Sequence, residues 1–198
     1  KMGGYDFPGS NSAVDIHALT AWIPQRMPLK SMTDKDWDRI FRALHHGDVL
    51  ATAATGDLSA ADAERAGLVP SHAYALLDIR TLSVGRLVRL KNPWNRGRWR
   101  GAYSPYHTAS WTQELRKALK YDPEKEAQRD DGEFWIDVHS LQRFFDVVYV
   151  SWNTQLLPHT VAYHHRWLQS TRTLKDSYNF GNKPQYPQHG KTHPRTPI

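Results

Sequence analysis

The 198-residue chain contains no cysteine. That absence excludes disulfides and thiolate metal sites, and any thiol chemistry must come from a part of the protein outside this stretch. A chain without disulfides also fits a cytoplasmic protein. No run of about 18 apolar residues is present, so no membrane span is expected, and no signal peptide is recognisable. Runs of one charge sign are missing too. Lys and Arg number 26 against 20 Asp and Glu, a net charge of +6, but they are scattered. Scattered charge argues against a nucleic-acid partner. What is present is a folding composition, with 39% hydrophobic residues, 12% aromatic and eight Trp. The length suits one or two domains with real cores.

Residues 1–12 are dominated by turn chemistry, and Asn11 or Ser12 is placed to cap a short helix over 13–19. Over 32–47, Trp37, Ile40, Phe41 and Leu44 follow helical spacing, acidic residues come first and Gly47 stands as a C-cap. His45 and His46 end that helix and carry no metal-site spacing. A buried strand over 48–55 and a short helix capped by Ser59 and ending before Gly67 follow. A helix is expected over 110–120, a charged loop over 121–131, a buried run at Phe134, Trp135 and Ile136, a helix capped by Asp137, and a last strand over 147–152. Strands and helices do not alternate regularly, so the fold class is α+β with an antiparallel sheet and flanking helices. Beyond Asn153 the composition shifts to His, Pro, Gly, Tyr and Lys. His159, His164 and His165 follow no zinc spacing.

Residues 67–99 carry the chemistry. His72 begins the apolar run 73–79 and Asn92 ends the run 87–90. Pairing the two runs as a hairpin across 81–85 brings imidazole and amide together at one edge. A His that takes a thiol proton needs a second group to fix its tautomer and ring angle, and an Asn carbonyl serves. Trp94 and Trp99 are candidates to shield that hydrogen bond from water. The cluster 96–101 is the one basic and aromatic stretch, and a single such cluster is weak ground for a single-strand nucleic-acid platform.

His72-Ala73-Tyr74, Asn92-Pro93-Trp94 and Asp131-Gly132-Glu133-Phe134-Trp135 resemble, in order and spacing, the His/Asn half of a calpain protease core. Gly9-Ser10-Asn11-Ser12, Ala18-Leu19-Thr20-Ala21-Trp22-Ile23-Pro24 and Val150-Ser151-Trp152-Asn153 narrow the resemblance to the calpain-7 and PalB branch. It implies a papain-like second lobe at 25–152 with catalytic His72 and Asn92. Residues 1–24 would be the end of the first lobe and the connection, and 153–198 a linker with the incomplete start of a C2-like β-sandwich, its first strand near 175–186. The chain is then expected to be a fragment, inactive alone, whose nucleophilic Cys lies on an upstream lobe.

Calpains of this pattern carry Gly where Ala21 stands, which argues against easy hinging. Conventional members bind calcium through the loop after the Asn and a later Asp-x-Glu pair. Asp131 and Glu133 are kept, but Arg98 and Pro105 stand where the loop's acidic residues would be. Calcium takes six to eight oxygens, so no metal is expected in this lobe. The implied partners are a protein substrate and, through the branch, the ESCRT machinery. The alternative is a non-catalytic calpain-like scaffold that keeps the fold and never meets a nucleophile.

Overall fold

The computed structural model describes residues 10–95, 97–129 and 131–161. Its elements are α1 (Ser12–Thr20), β1 (Ile23–Pro28), α2 (Asp34–His46), β2 (Val49–Thr55), α3 (Ala60–Ala66), β3 (Ala73–Leu82), β4 (Gly85–Lys91), α4 (Gln113–Leu119), α5 (Pro123–Gln128), β5 (Glu133–Asp137), α6 (Val138–Phe144) and β6 (Phe145–Trp152). All lie in the compact unit Ser12–Pro158. The six strands form one sheet in the order β1-β6-β2-β3-β4-β5, antiparallel at every pairing. The chain is therefore α+β with an antiparallel sheet, as its sequence implies.

Capping chemistry fixes the helices. Thr33 Oγ1 accepts the Asp36 N–H while the Asp36 carboxylate accepts the Thr33 N–H, and α2 stops at Gly47, whose φ of 79° lies in the left-handed region. Those bonds hold the Asp36 carboxyl below its usual range. Ser59, Thr112, Asp122 and Asp137 cap α3, α4, α5 and α6 in the same way.

Two expectations need correction, and one strand has no counterpart in the sequence reading. The segment 121–131 is not all loop, because Asp122 caps and Pro123 enters the first helical position, together starting α5. The helix expected over 110–120 starts at Gln113, since a 3₁₀ turn at Thr108–Ser110 and the Thr112 cap occupy its first residues. The pair of prolines in β1 hid a strand. It is tolerated because β1 is an edge, paired only with β6. β1 also spans Pro24 and Gln25, between which the sequence reading divides connection from lobe. The segments 164–165 and 175–186, with the β-sandwich start, lie outside the described residues.

Sheet alternation sorts the side chains into two cores. Val49, Ala51 and Ala53 of β2 join Trp37, Ile40 and Ala43 of α2, Leu141 of α6, and Tyr74, Leu76, Val88, Leu90, Phe134 and Ile136 on one face. Each large aliphatic buried there contributes about 2 kcal/mol. On the other face, Leu87 and Trp135 pack with Trp111, Leu115 and Tyr121. Ser12 of α1 reaches Thr52, whose hydroxyl lies 2.7 Å from that of Ser12. The chain leaves α1 through Ala21 at φ 60°, in the left-handed region that Gly adopts without strain. An L-residue there is strained by about 1 kcal/mol.

One irregularity sets the phase of the hairpin. Ile79 pairs with Val88 and Asp78 with Arg89, but Leu76 pairs with Leu90, so Leu77 is an extra residue. Inward positions on β3 change from odd numbers (Ile79) to even ones (Leu76, Tyr74). Asp78 fills the bulge, accepting the Ile79 N–H at 2.8 Å and Arg80 Nε–H at 2.8 Å, with His45 Nε2 3.1 Å from its Oδ1. Asp78→Ala removes the acceptor that the carboxylate gives the Ile79 N–H and the ion pair with Arg80, and we expect a loss of about 1–2 kcal/mol. Urea unfolding should show a lower midpoint at unchanged slope.

Candidate active site

His72 immediately precedes β3 and Asn92 immediately follows β4, so both sit at the open end of the hairpin. After the bulge Ala75 pairs with Lys91, and the next step of the ladder sets Asn92 across from Tyr74, on the face shared by His72. The two side chains meet, with His72 Nε2 3.0 Å from Asn92 Oδ1. Asn92 Oδ1 also accepts the Trp94 N–H at 3.1 Å, and Nδ2 donates to Gly97 O at 3.3 Å. These bonds fix which end of the amide faces the ring. An amide oxygen accepts, so Nε2 carries a proton in this bond. Asn92 is 0% exposed, which shields the bond from competing water.

The His72 main chain is clamped by Thr55. Its Oγ1 accepts the His72 N–H at 2.9 Å and donates to Val69 O at 2.7 Å, while Thr55 N donates to His72 O at 3.0 Å. Tyr74 lies edge-on to the imidazole at 5.1 Å, and its phenol oxygen accepts the Val69 N–H at 2.9 Å. Burial raises the Tyr74 phenol pKa, so the group under the ring stays neutral.

The two tryptophans part company. Trp94 covers the imidazole, with ring centroids 4.3 Å apart, while remaining 55% exposed. It is the outer wall of the pair. Trp99 is buried in the main core, donating Nε1 to Ala102 O at 2.8 Å and meeting Phe144 edge-on at 5.2 Å. Among the described residues the ring contacts of His72 are with Tyr74 and Trp94. Trp99 thus braces the loop after Asn92 from beneath and does not cover the imidazole.

Thr55, Gly67 and Gly132 shape the site without having been singled out for it in the sequence. Gly132 O accepts the Asn92 N–H at 3.0 Å. Gly132 has φ +76°, and a Cβ there would stand 2.7 Å from Asn92 O. A Cβ on Gly67 (φ +70°) would stand 2.2 Å from Arg98 O in the loop that follows Asn92. The Asp131-Gly132 turn was the available signal, since a turn glycine beside a strand often marks close backbone approach.

Residues 3–151 match the model of the calpain family cysteine protease. The chain belongs to the calpain family. Calpain-7 of Sus scrofa is 46% identical over 190 residues, which cover 93% of this chain and 23% of the relative. Calpain-7 of Homo sapiens is 45% identical with the same coverage. The calpain-like protease palB of Emericella nidulans is 34% identical over 175 residues, covering 85% of this chain and 19% of the relative. The chain therefore spans less than a quarter of the length of these relatives. As a calpain-family lobe it brings together His72, Asn92 and Trp94 and holds Trp99 apart.

Gly132→Ala forces an L-residue into the left-handed region against Asn92 O. We expect a loss of about 2 kcal/mol or more. Chemical denaturation measures it, and a variant as stable as the parent would contradict this account of the turn.

Proposed function

We propose that this chain supplies the base half of a calpain-type cysteine endopeptidase, with His72 as general base and acid and Asn92 as its orienter. The observation that carries the reading is the 3.0 Å bond from His72 Nε2 to a fully buried Asn92 amide oxygen. With Nε2 committed to Asn92, Nδ1 is the nitrogen available to a thiol. No hydrogen bond to Nδ1 is found among the described residues.

A Cys thiol presented by an upstream lobe gives its proton to Nδ1, and the thiolate attacks the scissile carbonyl of a protein substrate. The imidazolium then gives that proton to the leaving amine as the acyl-enzyme forms. On this reading Asn92 carries no charge and moves no proton. It holds the ring angle through both transfers, and Trp94 limits water at the bond. The chain alone, having no cysteine, is inactive.

The partners in this proposal are the protein substrate and the Cys-bearing lobe, with ESCRT-type partners added on family resemblance alone. A cytoplasmic site of action belongs to the same proposal. Among the described residues no helix is long and apolar enough to cross a membrane.

Combining the chain with the upstream lobe of the same protein should give peptide cleavage, and His72→Ala should lower kcat/KM by about 10⁴-fold or more. Full activity in His72→Ala would overturn the assignment. No cleavage in the parent combination would favour the scaffold reading.

We also propose that this lobe works without bound calcium, because the oxygens that a cation would need are already engaged. Glu133 is taken by Arg89, with Lys91 Nζ 3.7 Å away, and Asp131 Oδ2, which makes no hydrogen bond among the described residues, is ion-paired with Arg129 Nε at 3.1 Å. Lys91 Nζ donates to Asp131 O at 2.6 Å. A divalent cation would have to displace three positive side chains to collect the several carboxylates calcium prefers. Titration calorimetry of the chain should show no micromolar calcium site, and such a site would overturn the proposal.

A further inference from the structure

Arg98 is 6% exposed, and among the described residues no carboxylate pairs with it. A charge withdrawn from water is unfavourable unless its donors are met. Here they are met by neutral oxygens. Nη1 donates to Glu126 O at 2.6 Å, and Nη2 to Tyr106 OH at 2.9 Å and Ala127 O at 3.3 Å. The guanidinium carbon also lies 5.3 Å from the centre of the Tyr106 ring. Glu126 and Ala127 lie in the last turn of α5, and Glu126 O also accepts the N–H of Arg129, which closes that turn, at 3.2 Å. Three acceptors in different directions suit a planar fork and not a single ammonium.

The backbone at Arg98 reaches the catalytic pair directly. The carbonyl that accepts Asn92 Nδ2 is Gly97 O, part of the peptide unit that joins Gly97 to Arg98. On the far side of α5 the chain returns through Gly132, whose carbonyl accepts the Asn92 main-chain N–H at 3.0 Å. Asn92 is thus gripped by two carbonyls, one before Arg98 and one after α5, and the buried guanidinium ties those two segments together. A third tie holds the loop to α3, where Arg100 N donates to Ala66 O at 3.0 Å.

We propose that Arg98 is a positioning residue. Its guanidinium locks the Gly97–Arg98 peptide against α5, so that Gly97 O turns the Asn92 amide and aims its oxygen at His72 Nε2–H. The role rests on the reading of His72 and Asn92 as base and orienter. Its test, however, reads the hydrogen bond itself and needs no cleavage.

The His72 Nε2–H resonance and its exchange with water are followed by NMR in the chain with ¹⁵N-labelled histidine. Arg98→Gln should speed that exchange about tenfold, the weight of a lost hydrogen bond. Arg98→Lys, which keeps the charge and one donor, should fall between Gln and the parent. Amides of β6 and α2 should keep their parent rates. If Arg98→Gln does not fold, Tyr106→Phe removes one acceptor of the fork and should speed the exchange about threefold. Unchanged His72 exchange in the folded variant overturns the proposal, as does an equal rise at β6, which would make Arg98 a general stabiliser. Failure of the His72→Ala cleavage test would instead remove the function and leave this coupling standing.

Discussion

A change of phase within β3 governs where everything else at the site falls. In a regular hairpin the side-chain period of two would place Leu77 and Ala75 inward with Val88 and Leu90, turning Tyr74 and His72 to the opposite face from Asn92. The extra residue at Leu77 resets that count before the strand ends. Tyr74 then enters the core, and His72 arrives on the side where Asn92 emerges from β4. Asp78 sits beside the reset and its carboxylate accepts the Ile79 N–H. The imidazole–amide bond at the mouth of the hairpin is therefore decided some five residues away, in the middle of a strand.

The chemistry at that mouth depends on keeping charge at a distance while using it nearby. Tyr74, Asn92, Thr55 and Trp94 are neutral, and they surround an imidazole whose tautomer is set by hydrogen bonds alone. The cations stand one layer out. Arg89 and Lys91 face Glu133, Arg129 faces Asp131, and Arg98 is held by carbonyls and a phenol. Fixed cations in that layer do mechanical work, tying α5 and the 131–133 turn to the loop after Asn92.

Much of this was legible in the sequence, and what was not shares a cause. α2, α3, α6 and the β3–β4 hairpin announce themselves through apolar spacing, Ser, Thr and Asp caps and Gly47 or Gly67 as stops, all local signals. His72 and Asn92 are readable as a pair because the hairpin that joins them is local too. The bulge at Leu77 is not, since an unbroken apolar run from 73 to 77 fits either phase. Nor is β1, whose prolines are acceptable only because the sheet order makes it an edge. Thr55, Gly132 and Arg98 matter through contacts with residues 17, 40 and 28 positions away, as in Thr55 with His72, Gly132 with Asn92 and Arg98 with Glu126. Single-residue identity carries no trace of such partners.

That distribution of contacts bears on how a divided active site can be built. Among the described residues, bonds that orient Asn92 and His72 come from within Ser12–Pro158: Thr55 from β2, Gly97 from the loop, Gly132 from the approach to β5 and Trp94 from the turn. On the proposed function, the base and its tautomer would need no contribution from a nucleophile-bearing lobe to be set. In the proposed enzyme, an acid–base group prepared in this way would gain its advantage on docking of the second lobe, because the ordering entropy of the imidazole has already been met by folding. In that proposal the second lobe would have only to bring its thiol to Nδ1. Correct docking of two rigid halves, and not rearrangement inside this one, becomes the step on which such an enzyme would depend.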